Sequence, residues 1–115
     1  MGITIFGMGY VGCVTLAALS SLGHKIEGIE VDPDKLDMLK SGVPPINEPG
    51  IKELIVKGYK NNLISFKSTY EEPSSSSMFI ICVGTPSNVS GSVNLTYIDN
   101  CILNILKTSK NRDII

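Results

Sequence analysis

The chain has 115 residues, room for one domain built on one core. A formal net charge of −1 gives no basic footprint for nucleic acid or an acidic membrane, and 43 % hydrophobic with 18 % charged residues is ordinary for a globular fold. No apolar run approaches the length of a membrane span, and no basic segment with a following apolar stretch precedes the first strand, so the cytoplasm is the expected location and no membrane contact is expected.

Ile3 to Phe6 reads as a first strand, short and apolar. Val11 to Leu22 reads as a helix with Val14, Leu16, Ala17, Ala18 and Leu19 on a broad apolar face, closed by Gly23. Lys25 to Ile29 is the second strand. Asp32-Pro33 looks like a helix start, since Asp caps well and Pro lacks an N–H only where none is needed. That helix runs to Gly42. A proline-rich loop, Val43 to Gly50, leads to a helix from Gly50 to about Lys57. Leu63 to Phe66 is a third strand, and Met78 to Val83 is apolar enough for a strand buried on both faces of a parallel sheet. Pro73 and the serine run Ser74 to Ser77 read as a loop where a crossover helix would be expected. Ser87 to Leu95 is a polar loop, Thr96 to Thr108 a helix, and Asp113 to Ile115 the start of a strand. Helical connections between most strands give an α/β fold of Rossmann type: doubly wound, mostly parallel, three layers α/β/α, ending after about five strands.

Between the first strand and first helix stands Gly7-Met8-Gly9-Tyr10-Val11-Gly12, a GxGxxG turn. Glu30 follows at the end of the second strand. Glycines alone are a weak sign, but strand, glycines, helix and acid in register define a dinucleotide-binding unit. Gly7 permits the sharp turn, Gly9 lets backbone approach a pyrophosphate, and Gly12 allows close packing of the helix. The helix N-terminus presents N–H groups and a favourable dipole to the phosphates. Glu30 would accept hydrogen bonds from a ribose diol and repel a 2′-phosphate, so NAD is expected rather than NADP. The plainer alternative is a turn that only packs helix on strand.

Cys13, Cys82 and Cys101 are widely spaced, lack the spacing of a zinc site and lie in apolar stretches. They read as buried, reduced, small hydrophobes. His24, the one histidine, reads as a solvated turn residue. No catalytic and no metal-binding residue is expected.

Three segments in this order, Ile5 to Gly12, Pro45-Ile46-Asn47-Glu48-Pro49-Gly50 and Ile81-Cys82-Val83-Gly84-Thr85-Pro86-Ser87, resemble the UDP-glucose/GDP-mannose 6-dehydrogenase family, and the similarity covers essentially the whole chain. The resemblance implies an N-terminal NAD-binding domain from an enzyme that oxidises C6 of a nucleotide-sugar hexose to a carboxylate in two NAD-dependent steps, for polysaccharide synthesis. It implies cofactor contacts at Gly7, Gly9, Tyr10, Val11 and Gly12, at Glu30 (usually Asp in the family) and Lys35 on the adenosine side, and at Val83, Gly84 and Thr85 beside the nicotinamide half. Without the resemblance Lys35 is a solvated helix lysine and Thr85 a strand-end turn residue. The family's cysteine nucleophile, sugar-nucleotide domain and dimer-forming central helix lie further along, so this chain is expected to bind NAD and to be inactive alone. The nucleotide sugar and a homodimer or higher assembly would come only with the missing half. The other reading is a natural short protein that binds a dinucleotide, or a partner, without catalysis. The strand begun at Asp113 also predicts exposed apolar surface and marginal stability or self-association.

Overall fold

The computed structural model describes residues 2–70, 76–84, 90–91, 95–108 and 113–114. Nine elements follow in order: β1 (Gly2–Phe6), α1 (Tyr10–Ser21), β2 (Lys25–Ile29), α2 (Pro33–Lys40), α3 (Ile51–Lys60), β3 (Ile64–Lys67), β4 (Ser76–Ile81), α4 (Thr96–Thr108) and β5 (Asp113–Ile114). The five strands form one sheet in the order β3-β2-β1-β4-β5, and every pairing is parallel.

Alternation along the strands sends side chains to two different cores. Ile3 and Ile5 of β1, Ile26 of β2, and Ile64 and Phe66 of β3 join Leu16, Leu36, Leu39 and Ile55 from α1, α2 and α3. Phe6 and Ile29 point the other way, to Tyr70, Phe79 of β4 and Ile105 of α4. Three helices therefore cover one face and α4 the other. In the second core Tyr70 meets Phe79 edge-on at 5.3 Å and Phe6 at 5.9 Å, an arrangement that aligns ring edges with ring faces. Tyr97, Leu103 and Leu106 on α4 remain about half exposed.

The serine run divides differently from the sequence expectation. Ser76 and Ser77 belong to β4 rather than to a loop; Ser74 and Ser75 lie outside the described residues. Gly2 pairs with Ser76 but Ile3 pairs with Met78, so Ser77 is an extra residue, a bulge at the strand's entry. The Ser76 and Thr4 hydroxyls hydrogen-bond at 2.6 Å, which compensates two polar groups between strands. Helix α3 runs one turn past Lys57 because Gly58 lies against Ile64 and Tyr59 stacks on Phe66 at 6.1 Å. His24 lies in its turn half-buried, between exposed Gly23 and Lys25. No helix among the described residues is long and apolar enough to cross a membrane.

Candidate cofactor site

Strand order places the site. From β1 the chain winds one way through β2 to β3, then returns to the other side of β1 as β4. The crevice at the C-terminal ends of β1 and β4 is the topological switch point, where ligands of open α/β sheets bind. Phe6 ends β1 there, and the Cys82 N–H donates to its carbonyl at 2.7 Å. The Gly7-to-Gly12 turn and Cys82-Val83-Gly84 thus sit side by side.

The three glycines of the turn have three distinct surroundings. Gly7 adopts φ +93°, and a Cβ there would lie 2.7 Å from the Cys82 carbonyl oxygen. Its N–H donates to the Ile29 carbonyl at 2.8 Å, tying the turn to β2. A Cβ on Gly12 would be driven into the Gly7 carbonyl, so this glycine seats the helix on the turn itself. Around Gly9 a Cβ would meet nothing within 4 Å among the described residues. The first two are demanded by packing. No atom of the described residues demands a glycine at Gly9.

Helix α1 begins at Gly9 with no side-chain cap and no acidic residue in its first turn. Its leading N–H groups have no partners within the helix. With the helix dipole they form a place for an anion. Tyr10 and Val11, both exposed, follow at once.

Glu30 is buried directly behind this turn. Its Oε1 accepts from the Met8 N–H at 3.2 Å and its Oε2 from the Asp32 N–H at 3.0 Å. Met8 has no exposed surface, and its thioether occupies the space that a side chain on Gly28 would take. Sequence reasoning missed both Met8 and Gly28. The available signal was a glycine inside a strand, which often marks close approach by another group.

Lys35 is exposed on the first turn of α2. That turn is fixed by Asp32, whose Oδ1 accepts from the Asp34 N–H at 2.9 Å and the Lys35 N–H at 3.4 Å. Cys13 shows that Lys35 stands near the site. Burial, then the Glu30 charge, push its thiol from 9.0 up to about 11, while the Lys35 charge pulls the other way. The Cys13 thiol donates to the Met8 carbonyl at 3.3 Å. Burial raises the Cys82 and Cys101 thiols too, and all three cysteines are free. A thiol held protonated is a poor nucleophile.

The proline loop also reaches the turn. The Glu48 carboxylate stands beside Tyr10, and its charge and hydrogen bond raise the phenol above its usual range. Val83 packs on the second core and Gly84 is exposed, with nothing among the described residues within 4 Å of the place a Cβ would take. Thr85 lies outside the described residues, so its expected place beside the nicotinamide half belongs to the proposal below. Among the described residues no cluster of His, Cys, Asp and Glu could hold a metal ion. A surface depression of about 570 Å³ is lined by Lys52, Glu53, Val56, Lys57 and Lys60 of α3 and by Asn61 just after it, with no residue of the glycine turn.

A Rossmann-type sheet with a glycine turn at the switch point, an open helix N-terminus and an acid ending the second strand defines a dinucleotide-binding domain. Residues 1–115 match the family described as UDP-glucose/GDP-mannose dehydrogenase family, NAD binding domain. The chain belongs to that family, as its NAD-binding domain. It is 39 % identical to the GDP-mannose 6-dehydrogenase of Pseudomonas syringae pv. syringae over 101 residues, covering 87 % of this chain and 23 % of that one. It is 36 % identical to a UDP-glucose 6-dehydrogenase of Bacillus subtilis over 116 residues, covering 100 % of this chain and 26 % of the relative. A GDP-mannose dehydrogenase from Pseudomonas aeruginosa, solved as a ternary complex, superposes with TM-score 0.89 at 34 % identity, over 99 % of this chain and 27 % of that one. The chain thus spans about a quarter of the length of these relatives.

Proposed function

We propose that this chain seats NAD for a nucleotide-sugar 6-dehydrogenase. The observation that carries the reading is the uncapped α1 N-terminus beside open space at Gly9, with the Glu30 carboxylate at the end of the neighbouring strand. Gly9, Tyr10, Val11 and Gly12 would receive the diphosphate on backbone N–H groups, with Gly7 shaping the turn that presents them. Glu30 and Lys35 would face the adenosine ribose, where a fixed negative charge disfavours a 2′-phosphate. Val83, Gly84 and Thr85 would border the nicotinamide half. Bound NAD supplies a hydride acceptor. The chain's own residues bind it, orient it along the strand ends and hold the protonated Cys13 thiol out of reaction.

The substrate would be a hexose on a nucleoside diphosphate, oxidised at C6 to the uronate in two steps, as the names of the relatives support in class but not in base or sugar. Sugar binding and nucleophilic chemistry would fall to chain beyond these residues, and a homodimer or higher assembly would form through that part. Three free cysteines fit work in the reducing cytoplasm.

Calorimetric titration of the 115-residue chain with NAD and with NADP tests the reading. Saturable NAD binding at one site, at least tenfold tighter than NADP, is expected. No NAD binding up to millimolar concentration would overturn it.

A further inference from the structure

Glu30 is expected to wait for a ribose, yet both of its oxygens are already engaged by the chain. Oε1 takes the Met8 N–H at 3.2 Å and Oε2 takes the Asp32 N–H at 3.0 Å. The residue is only 8 % exposed. A buried carboxylate is tolerated when hydrogen bonds compensate its lost hydration, and bonds to an ionised acceptor are the strong ones.

Each partner leads to a different part of the site. Met8 is the middle residue of Gly7-Met8-Gly9. Besides its N–H, its carbonyl is held by the Cys13 thiol and its side chain is packed over Gly28. Asp32 caps α2 and thereby sets the backbone of Asp34 and Lys35. The carboxylate therefore spans from the phosphate-facing turn to the helix that carries Lys35. An aspartate at this position would be shorter by one carbon–carbon bond, roughly 1.5 Å. From the same backbone it would fall short of holding both N–H groups.

We propose that Glu30 is a positioning residue that clamps the glycine turn to the β2–α2 turn before cofactor arrives, so that diphosphate binding depends on it as well as ribose binding. The clamp exists without a ligand; its consequence for affinity rests on the NAD-binding reading. A carboxylate has about four acceptor positions, so two oxygens that each hold one N–H can still accept from a ribose diol. The cost of ordering the turn is met in folding, and less is left to be lost on binding.

The test uses Glu30→Gln and Glu30→Asp beside the unaltered chain. Glu30→Gln removes the charge and turns one acceptor into a donor. Glu30→Asp keeps the charge and removes the reach, and it keeps the test open if the first variant folds poorly. Amide hydrogen exchange is read at Met8 and Asp32 in cofactor-free protein, and affinity is read for NAD and for inorganic pyrophosphate, which has no ribose. In both variants Met8 and Asp32 should lose protection about tenfold or more while the β1 and β4 amides do not. Pyrophosphate affinity should fall at least threefold in both. That fall is diagnostic, because removing a negative charge in Glu30→Gln would on electrostatics alone raise affinity for an anion.

Unchanged protection and unchanged pyrophosphate affinity, with NAD affinity reduced, would overturn the clamp and leave Glu30 as a ribose ligand only. Lost protection in a chain whose unaltered form does not bind NAD would uphold the clamp and overturn the NAD reading instead.

Discussion

Helices α1 and α2 start from neighbouring parallel strands, β1 and β2, yet their N-termini are finished in opposite ways. Helix α2 is closed by its own residues: Asp32 accepts from the Asp34 and Lys35 N–H groups, Pro33 fills the first position, and Asp34 adds a negative charge in the first turn. Helix α1 has Gly9 in the capping place, no side-chain cap and no acidic residue. A capped end satisfies the helix and completes the fold. An uncapped end beside open space is stabilised only by solvent or by an anion brought from outside. The contrast separates two kinds of glycine as well. Gly7 and Gly12 are required by atoms of the chain, and Gly9 by none among the described residues.

The strongest way to break the contrast is at Gly12. Gly12→Ala forces a Cβ into the Gly7 carbonyl, where backbone cannot yield cheaply. We expect a loss of about 3–5 kcal/mol in urea unfolding, among the larger single-residue effects. A wild-type midpoint would show that the turn relaxes and that Gly12 is not packed as described. Gly9→Asp should do the reverse. It finishes α1 as α2 is finished, in an extended backbone conformation (φ −80°) that aspartate accepts. Thermal stability should hold or rise slightly, while NAD affinity drops about a hundredfold, roughly 2.7 kcal/mol. Retained affinity in Gly9→Asp would remove the α1 N-terminus from the site.

Much of this was legible in the sequence because each cue has a local cause. Glycines at fixed spacing after an apolar strand, Asp32-Pro33 before a helical pattern, and the apolar Met78-to-Val83 run all act within a few residues of themselves. All nine elements among the described residues follow from such cues, with ends that match or shift by at most three residues. What stayed hidden depends on contacts across the sheet. Ser76 and Ser77 look like a loop, and they become strand because Ser76 pairs with Gly2 and bonds to Thr4. Met8 is one of the unspecified letters of GxGxxG, and only the packing over Gly28 reveals that it anchors the turn. Glu30 was legible as an acid at a strand end, and the closure of its two oxygens on Met8 and Asp32 was not, since that needs the distance between two turns.

Cys13 sharpens the comparison through pH. It lies in the first turn of α1, and its thiol is pushed from 9.0 up to about 11, chiefly by burial and next by Glu30. The folded chain therefore keeps a proton that the unfolded chain releases above about pH 9. The stabilisation is fully present below that pH and is lost as pH rises through about 11, on the order of 2 kcal/mol in all. Unfolding free energy should thus fall across this window. Cys13→Ala should flatten the fall without abolishing it, because Cys82 and Cys101 are shifted in the same direction. Identical slopes in the variant and the unaltered chain would mean that the Cys13 thiol ionises as freely when folded as when unfolded.

The smallest expected effect lies at the closed end. Asp32→Ala leaves the first N–H groups of α2 without their side-chain acceptor, which costs about 1 kcal/mol for such caps. Pro33 and Asp34 remain, so the helix should persist and circular dichroism should be unchanged at room temperature. The Asp32 backbone N–H also remains, so Glu30 keeps both of its partners. NAD affinity should then fall only as far as Lys35 is displaced, less than about tenfold. The pair Asp32→Ala and Gly9→Asp thus crosses over: one variant loses stability and keeps most of its binding, the other keeps stability and loses binding. If Asp32→Ala lost NAD as completely as Gly9→Asp, the two helix ends would be serving the cofactor alike, and the division between a finished end and an open one would fail.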